Sequence, residues 1–234
     1  MNFVIVKNYD ELSALAFKQM QRYLIPNANI GLATGNTPVG LYSLMSKADI
    51  DYSEISTFNL DEYVGIPSNH PCSFYSFMEE HLFSKVNLKK ENTHVPSGMG
   101  DVEKNAVEFE QLIKENPLDI QLLGIGSDGH IGFNEPGYPL DSCTHIVTLN
   151  QQTIKDNEKP FLHIGEQIPS HAITMGLKTI MSAKSILLIA SGENKAEAVK
   201  KMVTSQIDPA CPATVLQDHP NVTVILDEAA AKLL

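Results

Sequence analysis

The sequence predicts an α/β protein: a modified doubly wound, largely parallel sheet with helices on both faces, a Rossmann-like three-layer arrangement. Two observations carry this. Short apolar runs alternate with longer amphipathic stretches along the whole chain, the pattern of strands joined by crossover helices. The run DIQLLGI (119–125) is apolar with almost no alternation, as expected of a strand buried on both faces.

The elements follow in order. FVIV (3–6) is a strand. Residues 10–24 are a helix, with Leu12, Leu15, Ala16 and Met20 at helical spacing and Asp10 as its N-cap. NIGLA (29–33) is a strand, and TPVGLYSLM (37–45) a helix that Thr37 caps, with Pro38 at its first position. ISTFNL (55–60) is a strand, 72–83 and 102–115 are helices, and 119–125 is the buried strand. HIVTL (145–149), AITMG (172–176), SILLIA (185–190) and VTVIL (222–226) are further strands, with a helix at 193–203. The polar segment 150–171 holds two prolines and little periodicity, so a lid or a disordered loop is expected there.

The totals narrow the function. The 234 residues carry 43% apolar and 19% charged side chains, enough for one core over 1–234. The net charge of −11 comes with no Lys/Arg block, which argues against nucleic acid and anionic membranes as partners. Three well-separated cysteines, Cys72, Cys143 and Cys211, make neither a disulfide framework nor a zinc ribbon. The N-terminus lacks the pattern of a signal peptide and no run is long enough for a membrane helix, so a cytoplasmic location is expected.

Four loops follow strands, and open α/β sheets bind ligands along that edge. ATGNTPVG (33–40) offers free backbone N–H groups at a helix start, which attract phosphate, although a merely well-capped helix is the plainer reading. No Gly-Lys-Ser/Thr follows, which excludes a nucleotide P-loop. In FNLDEYVGI (58–66), Asp61 and Glu62 are adjacent on a strand end. They point to opposite faces, so one at most reaches a given pocket, and a solvated acid is the alternative. GIGSDGHIGFNEPG (124–137) spells GxGxxG after a strand, but Gly132, Pro136 and Gly137 forbid the helix a dinucleotide site needs. Asp128, His130 and Glu135 there leave three readings: a polar turn, a metal site, or a general acid–base site with an acid orienting the imidazole from either side. In ASGENKAEAV (190–199), Lys195 near a helix start is either an exposed lysine or a phosphate counter-ion.

Together the four stretches resemble the glucosamine-6-phosphate deaminase (isomerase) family, in TFNLDEYVG and GIGSDGHIGFNEP above all, and over nearly the whole chain. The resemblance implies conversion of glucosamine 6-phosphate and water to fructose 6-phosphate and ammonium, with no metal or organic cofactor. It implies that Asp61 is the enolisation base, that His130 assists ring opening, and that Asp128 and Glu135 orient and tune His130. It assigns Gly35, Asn36 and Thr37 to the phosphate loop, Lys195 to phosphate binding, and 150–171 to a mobile lid. Lys159 stands where the family often has a phosphate-contacting arginine, a fork that lysine does not reproduce.

Two departures qualify the resemblance. Larger members have a further C-terminal stretch and are hexamers activated by N-acetylglucosamine 6-phosphate through basic residues near the strand after the signature. Here that strand carries His145 and Val147, so a monomer or small oligomer with little or no allosteric activation is expected. The rivals are a 6-phosphogluconolactonase, which has an Arg after its Asp-Glu pair where this chain has Tyr63, a galactosamine-6-phosphate deaminase, and a sugar-phosphate-sensing domain of a transcription regulator.

Overall fold

The computed structural model describes residues 1–234. Ten strands form in chain order: β1 (Asn2–Val6), β2 (Asn29–Leu32), β3 (Ser56–Asn59), β4 (Asp61–Tyr63), β5 (Thr93–His94), β6 (Ile120–Leu123), β7 (His145–Thr148), β8 (His171–Thr174), β9 (Ile186–Ala190) and β10 (Val222–Asp227). The helices are α1 (Tyr9–Met20), α2 (Val39–Met45), α3 (Phe74–His81), α4 (Val102–Glu115), α5 (Gln151–Asn157), α6 (Lys159–His163), α7 (Leu177–Met181) and α8 (Ala196–Thr204).

Seven strands make one sheet in the order β1-β10-β9-β6-β2-β3-β5, and every pairing in it is parallel. The central strands β6 and β9 are buried at every position. Successive strand side chains alternate between faces, so both faces of this sheet are covered. β1 is mostly exposed, as suits an edge. One core cluster of 48 buried residues surrounds the sheet. No helix is long and apolar enough to cross a membrane.

Helix starts follow from local chemistry. Asn8, Ser73, Asp101 and Asn150 each accept the N–H three residues on and so cap α1, α3, α4 and α5, each cap contributing about 1 kcal/mol. Asp10 is therefore not the cap of the first helix, which turns 3₁₀ over Gln21–Tyr23. Thr37 does not cap α2 either. That helix opens at Val39 behind Pro38, with no side-chain cap.

Two further expectations change. β7 and β8 lie outside the parallel sheet and form a three-stranded antiparallel sheet, β4-β8-β7, with the residues that follow β3. Its core is a separate cluster around Tyr63, Phe133 and Phe161, with the Tyr63 ring 5.7 Å from Phe133 and edge-on to Phe161 at 5.3 Å. The segment 150–171 is ordered as α5 and α6. At 7 and 5 residues they are too short to display a 3.6-residue period.

The four candidate loops leave β2, β3, β6 and β9. These are neighbours in the order β9-β6-β2-β3 and all run the same way. Strands about 4.8 Å apart thus bring the four loops to one edge of the sheet.

Candidate active site

Asp61 sits where the chain passes from one sheet to the other. Leu60 N donates to Leu32 O of the parallel sheet at 3.2 Å, and Leu60 O accepts from Met175 N at 2.7 Å. The next residue, Asp61, pairs with Thr174 of β8. Both acids are buried, Asp61 being 6% and Glu62 3% exposed. Their surroundings differ, as strand alternation requires. Glu62 accepts the backbone N–H groups of Tyr63, Phe74 and Tyr75 at 2.9, 3.0 and 3.1 Å, and so joins β4 to the start of α3. Burial pushes its carboxyl up to about 7 against the opposing pull of those three bonds. The Asp61 carboxylate accepts no hydrogen bond from the protein. Burial first, and the neighbouring Glu62 second, push it up to about 8.

The loop after β6 contains no helix. Gly126 N donates to His130 O at 2.9 Å, and Gly129 N donates to Gly126 O at 3.1 Å, which folds 126–130 into a tight turn. The His130 ring lies directly over Gly126, where a Cβ would stand 2.3 Å from Nδ1. Farther along, Gly132 adopts φ +57° and passes close to the Asp61 carboxylate, with Oδ2 3.5 Å from the position a Cβ would take. The signature loop and the second loop therefore meet at Asp61.

Asp128 Oδ1 is 2.7 Å from His130 Nδ1 and also accepts the His130 N–H at 3.1 Å. The ring Nδ1 makes no hydrogen bond within the protein, so the contact with the carboxylate is one of proximity. Burial alone would raise Asp128. The bonds and charge of His130, with the Asn150 amide, outweigh it and hold the carboxyl well below the usual range. Glu135 makes no hydrogen bond to His130. It accepts Asn150 N at 3.2 Å and the Asn150 side-chain amide, which also reaches Asp128 Oδ2 at 3.4 Å. The ligand atoms of Asp128, His130 and Glu135 lie within 4.8 Å of one another, a spacing from which three residues could approach a cation. The Asn150 N–H donors lie between the two acids and hydrogen-bond both. Asn150 is the residue the sequence reading missed, and its only local signal is the N-cap position before α5.

Gly35, Asn36 and Thr37 form the turn between β2 and α2. Gly35 adopts φ +96°, a conformation that favours glycine. None of the three backbone N–H groups has a partner within the protein, so they are free to meet an anion. Tyr9 braces this turn by donating to Asn36 O at 3.1 Å and accepting from Gly40 N at 2.8 Å.

Lys195 is half-buried at the start of α8, one strand beyond the signature loop. Burial lowers its ammonium, while the charges of Asp156 and Asp128 act to raise it. The loop leading to it is pinned by Asp227, which accepts the Ser191 hydroxyl at 2.5 Å and Gly192 N at 3.1 Å. Lys159 stands exposed at the start of α6 and makes no ion pair.

The family model described as glucosamine-6-phosphate isomerases/6-phosphogluconolactonase matches residues 9–225. A glucosamine-6-phosphate deaminase of Thermoanaerobacter pseudethanolicus is 45% identical over 242 aligned residues, covering 100% of this chain and 95% of the relative. One of Bacillus thuringiensis is 46% identical over 236, covering 100% and 89%. The solved structure of a monomeric glucosamine-6-phosphate deaminase superposes with a TM-score of 0.97 at 41% identity, over all of both chains. A 6-phosphogluconolactonase from Trypanosoma cruzi has a TM-score of 0.80 at 20% identity, covering 100% of this chain and 96% of the other, and shares the fold. The chain belongs to the glucosamine-6-phosphate isomerase/6-phosphogluconolactonase family, and these deaminases share 41–46% of its sequence where the lactonase shares 20%.

Proposed function

We propose that this protein deaminates glucosamine 6-phosphate, giving fructose 6-phosphate and ammonium, and that it acts in amino-sugar catabolism in the cytoplasm. The observation that carries the reading is the buried Asp61 carboxylate, free of any protein donor and close to Gly132 of the loop that also carries Asp128 and His130. A carboxylate that burial makes more basic is a stronger proton acceptor. The amino sugar brings a cationic ammonium, which favours ionised Asp61 when it binds.

In this reading Asp61 takes the proton from C2 of the open-chain sugar and returns one to C1. Hydrolysis of the resulting imine releases ammonium. One short arm fixed at a sheet junction suits transfer between adjacent carbons. His130, oriented by Asp128, moves a proton between the ring oxygen and the anomeric hydroxyl to open the ring. The phosphate lies against the N–H groups of Gly35, Asn36 and Thr37 with Lys195 as counter-ion, and Lys159 on α6 reaches it when α5 and α6 close over the site. No step calls on a metal or an organic cofactor.

The absence of a basic pair on β7 supports an enzyme without activation by N-acetylglucosamine 6-phosphate. His145 there is stacked on Tyr138 at 5.1 Å and Val147 is buried. The protein acts as a monomer or small oligomer, and its charge supports no role on nucleic acid or membrane surfaces. Initial rates with glucosamine 6-phosphate, galactosamine 6-phosphate and 6-phosphogluconolactone test the assignment. The first is expected to be the best substrate by at least ten-fold. Preference for the lactone would overturn the reading.

A further inference from the structure

We propose that Asn150 is a positioning residue that ties the acid–base cluster to the segment covering the site, holding Asp128 and Glu135 in register with the first turn of α5. The inference rests on the deaminase reading above.

Every polar atom of the Asn150 side chain is engaged. Nδ2 donates to Asp128 Oδ2 at 3.4 Å and to Glu135 Oε2, while Oδ1 accepts Thr153 N at 2.7 Å. Asn150 N adds a bond to Glu135 Oε1 at 3.2 Å. The opposite amide orientation would set a carbonyl oxygen against two carboxylates and an NH₂ group against the Thr153 N–H, so the network itself fixes which way the amide faces. One side chain thus places a donor between two acids and an acceptor at a helix start.

Asn150 also stands at a fixed pivot. Leu149 N donates to Ser170 O at 2.9 Å, which closes the base of the 150–171 segment on the small sheet. Beyond that base, α5 runs back over the signature loop, where Ser127 Oγ meets Asp156 Oδ2 at 3.4 Å. The charged groups around the cluster are His130 on the same loop, Lys195 at the start of α8 and Asp156 on α5. A movement of α5 therefore acts on Asp128 and Glu135 through Asn150. The acids reach their working geometry only when the first turn of α5 is formed.

Two variants separate this role from helix capping. Asn150→Asp and Asn150→Ser both keep an oxygen that can cap α5. Neither supplies an NH₂ group to the two acids, and Asn150→Asp adds a third negative charge. Both are expected to lower kcat on glucosamine 6-phosphate at least ten-fold, with KM within about three-fold of wild type. In Asn150→Asp the titration of the His130 imidazole, followed by NMR without turnover, is expected to move up by about one pH unit, and the acidic limb of kcat/KM with it. A residue that only caps a helix would leave kcat close to wild type in both variants, since both keep the capping oxygen. The proposal is overturned if both variants keep kcat within two-fold of wild type, or if the His130 titration of Asn150→Asp is unmoved. A wild-type protein that releases no ammonium would refute the deaminase reading instead, and the NMR titration would still decide the role of Asn150.

Discussion

The imidazole of His130 lies against the backbone of Gly126, four residues earlier, so closely that any Cβ at Gly126 would sit 2.3 Å from both Nδ1 and Cε1. The constraint is one of space, since Gly126 does not adopt a positive φ. Gly126→Ala is thus expected to displace the ring without straining the backbone. An error of about 1 Å in a catalytic group costs on the order of 100-fold in rate. Steady-state kinetics should show that loss, with circular dichroism unchanged.

Removing the carboxylate of Asp61 separates chemistry from binding. Asp61→Asn keeps the shape of the β3–β4 junction and abolishes the base. Turnover is expected to fall by about 10³-fold or more. Calorimetric titration with fructose 6-phosphate should give an affinity close to wild type. Binding lost in parallel with activity would mean that Asp61 contributes to the fold or to affinity.

The same residue sets a dependence of stability on pH. Asp61 holds its proton in the folded protein up to about 8, against an ordinary value of 3.8, and Glu62 is shifted the same way, up to about 7. Between those limits the folded state binds more protons than the unfolded chain, so stability falls as pH rises. The contribution is fully present below about pH 4 and is lost as pH rises through 8. Asp61→Asn removes most of that slope. At pH 8.5 it is expected to melt at least about 3 °C above wild type, since 1 kcal/mol moves a protein of this size by roughly 2–4 °C. Thermal melts from pH 5 to 9 check this, and a variant less stable than wild type at pH 8.5 would contradict it.

Lys195 supplies charge to the phosphate and none to the reacting carbons. Lys195→Met is expected to raise KM by roughly 10–100-fold, the equivalent of one charge-assisted contact, with kcat much less affected. Inhibition by inorganic phosphate should weaken in proportion. An unchanged KM would remove Lys195 from the binding site.

Most strands and their loop edge are legible in the sequence because a parallel sheet leaves a strong signal. Runs such as Ile186–Ala190 are apolar at every position. The small sheet is hidden because hydropathy does not reveal strand direction, and β4 is only three residues long, one residue beyond β3. Asp61, Asp128 and His130 are readable from motif and position. The partner of Glu135 is not, since Asn150 lies fifteen residues away at the start of a helix too short to show its period. The Tyr9 clamp on Asn36 spans 27 residues, across α1 and β2, and nothing local announces it.

The central claim is tested most directly by one assay. Purified protein is mixed with glucosamine 6-phosphate in the presence of EDTA, and ammonium and fructose 6-phosphate are followed together. The account predicts equal release of both, with a hyperbolic dependence on substrate that N-acetylglucosamine 6-phosphate leaves unchanged. No ammonium, with 6-phosphogluconolactone hydrolysed by the same preparation, would contradict it and give Asp61 and His130 other work.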